Sequence, residues 1–392
     1  MEDLPEALFA EIVTRITRTS DLNSLSLVSK WLYTNEAYQR STLCVGCGLC
    51  PAREALASLC SRFPNLSKVE IDHSDWTCNH GSQLGNKGLL VISSLCPSLT
   101  DLTLSFCSHI NDSGIGYLAD CKKLVSFKLK SAPKITSSGL LAVAAGCKRL
   151  STLHIIDCEK IESKEWPEYL GWNGSLEELV VKNCDGINQY DGLLTFGLGW
   201  MRLLKFDFET NFRRWERDFF DSLYNAHNPS RYEFSCESLK DLRLARFGAG
   251  TGTEVGLRFL FGKCKALEKL CLDYVNGLND NDMIALSQSC SNLRSISLRL
   301  SLQYYDFDST TAFTDDSLKA LANSCPLLEA VELTFYGCSP DYPSNRLHTE
   351  GPVKCMNLTE LVRLCSLDHC LARHVQILYL NNPCTYPCNL GV

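Results

Sequence analysis

Along most of the chain the spacing of apolar positions switches between two periods within each stretch of about 26 residues. Between Cys96 and Cys121, Leu99, Leu102 and Leu104 have the LxxLxL spacing of a short strand that turns one row of side chains inward. Asn111, Asp112, Ser113 and Gly114 then precede Ile115, Leu118 and Ala119, the pattern of a capped helix of about two to three turns whose apolar face meets that row. One strand and one short helix cannot enclose a core. Each buried leucine contributes about 1.5–3 kcal/mol relative to exposure, so copies of the unit have to stack side by side.

The first strand leucine recurs at Leu66, Leu99, Leu124, Leu150, Leu176, Leu203, Leu239, Leu267, Leu293 and Leu328, with a degenerate copy near Ala372, Val375 and Ile377. Four long steps, 33 residues after Leu66, 36 after Leu203, 35 after Leu293 and 44 after Leu328, mark insertions into an otherwise regular array. A cysteine stands three residues before that leucine at Cys96, Cys121, Cys147, Cys236, Cys264, Cys290 and Cys325, and eight residues after it at Cys107, Cys158 and Cys184. This repetition resembles the cysteine-containing class of leucine-rich repeats. The resemblance implies an α/β fold, a right-handed solenoid of about eleven repeats over residues 43–392 with parallel strands on its concave side and helices on its convex side.

Residues 1–42 do not follow the repeat. Leu4, Pro5 and Glu6 open an amphipathic helix on which Leu8, Ile12 and Ile16 recur at i+4 spacing, with Phe9 and Val13 widening the stripe. Asp21 is placed to cap a second helix carrying Leu22, Leu25 and Val28 on one face, with Leu27 and Trp31 beside them. So many large apolar residues exceed what a segment this short can bury within itself, so one face is left for a partner or for capping the repeats. LPEALFAEIVTRI followed by DLNSLSLVSKWLYTNEAYQR resembles an F-box, and the order F-box then repeats resembles the F-box/leucine-rich-repeat proteins. Ser29 stands where that family commonly has Cys, and Trp31 comes one position early, with Leu32 in the usual aromatic place.

That resemblance implies an all-helical F-box in which Leu4, Pro5, Leu8, Ile12, Leu25, Val28 and Trp31 contact a Skp1-like adaptor. The adaptor would join the chain to the cullin and RING subunits of an SCF-type ubiquitin ligase, while the repeats choose the protein to be ubiquitinated. The strand, turn and helix that follow the F-box also resemble the plant hormone-receptor members of the family, which have more repeats and hold an inositol polyphosphate on a basic cluster.

The formal net charge of −7 argues against general nucleic-acid binding, which needs a basic surface. No apolar run reaches membrane-spanning length. The opening MEDLPEALFAEI lacks the basic and apolar regions of an export signal, so the 22 cysteines read mostly as small buried side chains in a reducing cytosol or nucleus. Two groups could ligate metal. Cys44, Cys47 and Cys50 with Cys60 lie in a segment that also reads as strand, turn and helix begun by Pro51, and His73, Cys78 and His80 fall in a polar insertion that reads as a solvated loop. The expectation is no metal and no cofactor. The glycine-rich stretch 248–256 lacks the lysine of a phosphate loop, and no catalytic constellation presents itself, so the chain reads as a binding module rather than an enzyme.

Positions two, four and six after the first leucine alternate away from the core and form the other face of the strands. From Leu99 to Leu328 they include seven basic residues (Lys128, Lys130, Lys182, Lys205, Arg243, Lys269, Arg299) and seven acidic ones (Asp101, Glu178, Asp207, Glu209, Asp241, Asp273, Glu332). This mixed face favours a protein target over a small-molecule co-receptor, with Lys128, His154 and Asp207 as strand candidates. The insertions supply Trp76, Tyr304, Tyr305, Phe307, Tyr336 and Tyr342 as aromatic anchors along the edge where strands pass to helices. Two other readings stay open, a hormone co-receptor of the F-box type and a repeat scaffold without ligase function.

Overall fold

The computed structural model describes residues 5–16, 18–47, 52–75, 83–162, 165–187, 200–210, 236–246, 257–273, 278, 280–301, 315–336 and 374–380. The chain divides into two compact units, Met1–Leu176 with Cys184–Ile187, and Glu177–Asn183 with Asn188–Val392. The division falls inside the repeat array, and the junction between residues 42 and 43 lies within the first unit. Among the described residues no helix is long and apolar enough to cross a membrane.

The leucine spacing sets the strands. In the first unit β1 (Thr42–Val45), β2 (Lys68–Asp72), β3 (Asp101–Ser105), β4 (Ser126–Lys130) and β5 (Thr152–Ile156) pair in parallel in chain order. In the second, β6 (Glu178–Lys182), β7 (Lys205–Glu209), β8 (Asp241–Ala245), β9 (Lys269–Asp273), β10 (Ser295–Ser301), β11 (Ala330–Tyr336) and β12 (His374–Leu380) do the same. From β2 to β11 each strand begins two residues after its leucine. In most of these repeats the intervening turn is built alike, with the leucine N–H donating back to the carbonyl of the residue three before it, as in Leu99 to Cys96 and Leu267 to Cys264, both 3.1 Å. The next N–H then crosses to the previous repeat, Thr100 to Ser67 at 2.7 Å and Val125 to Thr100 at 2.8 Å, and the parallel ladder starts from there. Strand–helix repeats stacked in this way form a leucine-rich-repeat solenoid within each unit.

The helices behind the strands in the first unit are α4 (Ala52–Arg62), α5 (Asn86–Leu95), α6 (Asp112–Gly116, continued as a 3₁₀ turn over Tyr117–Asp120), α7 (Ser137–Gly146) and α8 (Trp166–Asn173), each packed on the next. In the second unit Leu257–Lys263, Asp280–Ser289 and Asp315–Ser324 are helical. Leucine triads and their equivalents, such as Leu99/Leu102/Leu104, Leu124/Phe127/Leu129 and Leu239/Leu242/Leu244, are at most 1% exposed.

Two polar devices hold successive repeats in register. Asn86 Nδ2 donates to Asn111 Oδ1 at 2.8 Å while Asn111 N–H returns a bond to Asn86 Oδ1, and Asp112 accepts from both the N–H and the hydroxyl of Thr136 at 2.8 and 2.6 Å. Gly114 lies so close to Asn86 that a β-carbon there would collide with its amide oxygen. At the strand ends Phe106, Ser131 and Asp157, and in the second unit Asn183 and Arg246, take positive φ between 50° and 57°. This conformation costs about 1–2 kcal/mol for a residue with a β-carbon. It lets the amide reach the next repeat's strand end, Phe106 N–H to Lys130 O at 2.8 Å and Arg246 N–H to Asp273 O at 2.7 Å.

Candidate functional site

Three helices precede the repeats: α1 (Glu6–Arg15), α2 (Thr19–Ser26) and α3 (Lys30–Gln39). Pro5 precedes α1 and its carbonyl accepts from the Leu8 and Phe9 amides. Arg18, not Asp21, occupies the cap of α2, because the helix begins at Thr19, and Asp21 sits in its first turn, where the helix dipole favours a carboxylate. The Ser29 hydroxyl oxygen caps α3 by accepting from Leu32 N–H at 3.2 Å.

The apolar stripe of α1 is split. Phe9 and Val13 turn inward and form a small core with Leu32, against which Leu22, Leu25 and Trp31 pack, Trp31 edge-on to Phe9 at 4.9 Å between ring centres. Leu8, Ile12, Leu27 and Val28 are instead 52, 49, 85 and 71% exposed. About 100° of helical rotation separates one residue from the next, which puts Leu8 and Ile12 beside the core stripe rather than within it. Of the residues expected to meet an adaptor, Pro5, Leu8, Ile12 and Val28 face out, Leu25 and Trp31 pack on the helices' own core, and Leu4 lies outside the described residues.

A buried ionic cluster joins these helices to the first repeat. The register of β1 against β2 puts Arg40 in the slot that Leu66 fills one repeat later. Its guanidinium is ion-paired with Glu36, donates to Asn23 Oδ1 at 3.1 Å and lies 4.6 Å over the ring of Phe63. Arg62 of α4 reaches the other Glu36 oxygen at 3.1 Å and stacks 3.9 Å over Tyr33. Glu36 and Arg40 are 0 and 5% exposed, so both charges depend on this pairing for compensation.

The outward faces of the strands differ between the units. In the first, Lys128 and His154 are register partners on β4 and β5. Lys128 and Lys130 form no ion pair with a described residue, although the Lys130 ammonium sits 5.3 Å over Phe106. In the second, charges pair across the strands, with Lys182 to Asp207 at 2.7 Å, Lys205 to Glu178 at 2.8 Å, Arg299 to Asp273 at 3.5 Å and Arg246 to Glu209. Asp207 is 8% exposed and belongs to this network of the second unit. Tyr336 is the last residue of β11 rather than the start of a loop. Trp76, Tyr304, Tyr305, Phe307 and Tyr342, and the glycine-rich stretch 248–256, lie outside the described residues.

The repeat cysteines form ladders. Cys147 Sγ donates to Leu118 O at 3.2 Å, Cys290 Sγ to Cys264 O at 3.2 Å, and Cys236 and Cys264 place their sulfurs 3.2 Å apart. Burial pushes the thiols of Cys107, Cys147 and Cys290 up to about 12 and those of Cys121, Cys158 and Cys325 up to about 11. Cys44 is exposed on β1 and Cys60 is buried in α4, hydrogen-bonded to Cys96. Cys50, Cys78 and His80 lie outside the described residues, among which no three His, Cys, Asp or Glu side chains are grouped as a metal would need. His73, read from the sequence as part of a solvated loop, is buried. Its Nε2 accepts from Leu84 N–H at 3.4 Å, and burial lowers its pKa.

The chain matches no protein-family model. Over 105 residues it is 30% identical to F-box/LRR-repeat protein 4 of Bos taurus, a stretch covering 26% of this chain and 16% of the length of that relative. Among solved structures it is similar to the Rad7 and Elc1 complex in yeast, at 18% identity and a TM-score of 0.45, covering 84% of this chain and 80% of that one. A protein from Bacteroides fragilis is similar at 14% identity and a TM-score of 0.36, covering 73% of each chain. Both likenesses are distant, and the fold rests on the repeat geometry itself.

Proposed function

We propose that the chain is the substrate-recognition subunit of an SCF-type ubiquitin ligase, with α1–α3 docking on a Skp1-like adaptor and the repeats holding a protein target. The observation that carries this reading is the outward placement of Leu8, Ile12, Leu27 and Val28 on helices whose own core is already closed by Phe9, Val13 and Leu32. Large apolar side chains left on the outside of so small a module mark a docking surface. The F-box pattern of residues 1–42 and the local identity to an F-box/LRR-repeat protein support the same choice of partner.

In this reading the chain supplies no catalytic group. It raises the rate of ubiquitin transfer by proximity, holding a target lysine near the charged conjugating enzyme that the cullin and RING subunits carry. The Glu36–Arg40–Arg62 cluster would keep the docking helices fixed on the first repeat, so that the adaptor and the nearby strands keep one geometry. The working compartment would be the nucleus or the cytosol. Co-expression with a Skp1-type adaptor tests the proposal. A stoichiometric complex on gel filtration is expected, and a chain that elutes alone at micromolar concentrations of both would refute it.

A further inference from the structure

The parallel register of the second unit sets Asp207, Arg243 and Cys271 on one rung of the strand face and Glu209, Ala245 and Asp273 on the next. Arg243 of β8 therefore stands between two carboxylates, one from each neighbouring strand. It hydrogen-bonds to neither. Its Nε is 3.9 Å from Asp207 Oδ1 and its Nη2 is 3.7 Å from Asp273 Oδ2, both beyond the reach of an N–H···O bond. Asp207 Oδ1, Asp273 Oδ1 and Arg243 Nε are enclosed without any hydrogen-bond partner. The second oxygen of each aspartate is already engaged, by Lys182 at 2.7 Å and by Arg299 at 3.5 Å.

An enclosed carboxylate oxygen without a donor is costly, and burial accordingly raises the Asp273 pKa. The two sides of the cluster also differ in freedom. Both aspartate side chains are short and 12% exposed, whereas the Arg243 side chain is 40% exposed on a long flexible stem and can swing to solvent. We propose that Asp207 and Asp273 form a site for one cationic side chain, lysine or arginine, of a protein segment laid along the strands, with Arg243 holding the site until that segment displaces it. The exchange conserves charge, since one cation leaves the carboxylates as another arrives. A lysine ammonium is compact, has three donors and is free to choose its approach, which a guanidinium anchored to the strand between the aspartates is not. Naming the segment a target rests on the ligase reading, but the site itself does not.

The test uses the full chain and immobilised degenerate nonapeptides whose central residue is fixed as Arg, Lys, Gln or Glu. Wild-type chain is expected to be retained about ten-fold more on the Arg or Lys pools than on the Gln pool, as a gained charged contact would give. The isosteric Asp207→Asn and Asp273→Asn should each remove that preference, while Arg243→Gln should enlarge it, because the competitor is gone. A purely structural role for Arg243 predicts no gain. Equal retention on all pools overturns the proposal. So does preference for the Glu pool abolished by Arg243→Gln, which would make Arg243 a reader of acidic segments. Adaptor capture is measured on the same samples: its failure with the cation preference intact counts against the ligase reading alone, and the converse counts against this site alone.

Discussion

The N-terminal helices and the repeats use apolar residues in opposite ways. In the described repeats from Leu66 to Leu333 the apolar residues of the LxxLxL triads are buried, so the apolar pattern is consumed by the fold. In α1–α3 the core is three buried residues with three more packed around them, and comparably large side chains at positions 8, 12, 27 and 28 stay outside. The same residue type is therefore structural in one region and available for docking in the other. Neighbours decide which, because a repeat lays its apolar row against adjacent copies, whereas α1–α3 close a small core among themselves and leave these four side chains outside it.

Substitutions should separate the two regions by the size of their effect on stability. Glu36→Ala leaves the Arg40 guanidinium buried and uncompensated, and should cost about 3–5 kcal/mol in urea unfolding, since this joint lies where the two regions meet. Leu129→Ala, deep in a repeat, should cost about 3 kcal/mol by the same measurement. Gly114→Ala drives a β-carbon into Asn86 and should cost about 1–3 kcal/mol as α5 and α6 shift apart. Ser29→Ala, which removes the cap of α3, should cost about 1 kcal/mol.

The thiol ladders sharpen the contrast through pH. Burial holds the folded thiols of Cys107, Cys147 and Cys290 near 12, above the ordinary value of 9.0. A thiol raised in the folded state contributes its full stability below pH 9.0. That stability is lost as the pH climbs toward 12, because the unfolded chain then gains thiolates that the fold excludes. Unfolding midpoints should accordingly fall steadily above pH 9.0, and the buried thiols of Cys107, Cys147 and Cys290 should react slowly with Ellman's reagent until denaturant is added. A flat alkaline profile would contradict the burial of the repeat cysteines.

The repeats were legible in the sequence because one periodicity fixes both strand position and buried face, and from Leu66 to Leu328 each strand begins two residues after the leucine. The first strand was harder to place, since Arg40 occupies its leucine slot and is accommodated only through Glu36 and Phe63, partners that no spacing reveals. Spacing at i+4 found the apolar residues of α1 but could not say that Phe9 and Val13 face in while Leu8 and Ile12 face out. That choice depends on where α3 lies. The strand-face charges were enumerable from the sequence, yet their pairing was not. Asp207 and Arg243 stand 36 residues apart and become neighbours only through the register of β7 and β8.

The central claim is that the outer face of α1–α3 binds an adaptor without serving the fold. Isothermal titration of a Skp1-type adaptor into wild-type chain and into Val28→Asp, with a thermal melt of each sample, tests it most directly. Binding by the wild type, loss of at least about 100-fold in affinity for Val28→Asp, and melting temperatures within about 2 °C of each other are expected for a central contact on an exposed face. Equal affinity for both proteins, or a variant that loses binding only because it unfolds, would contradict the account.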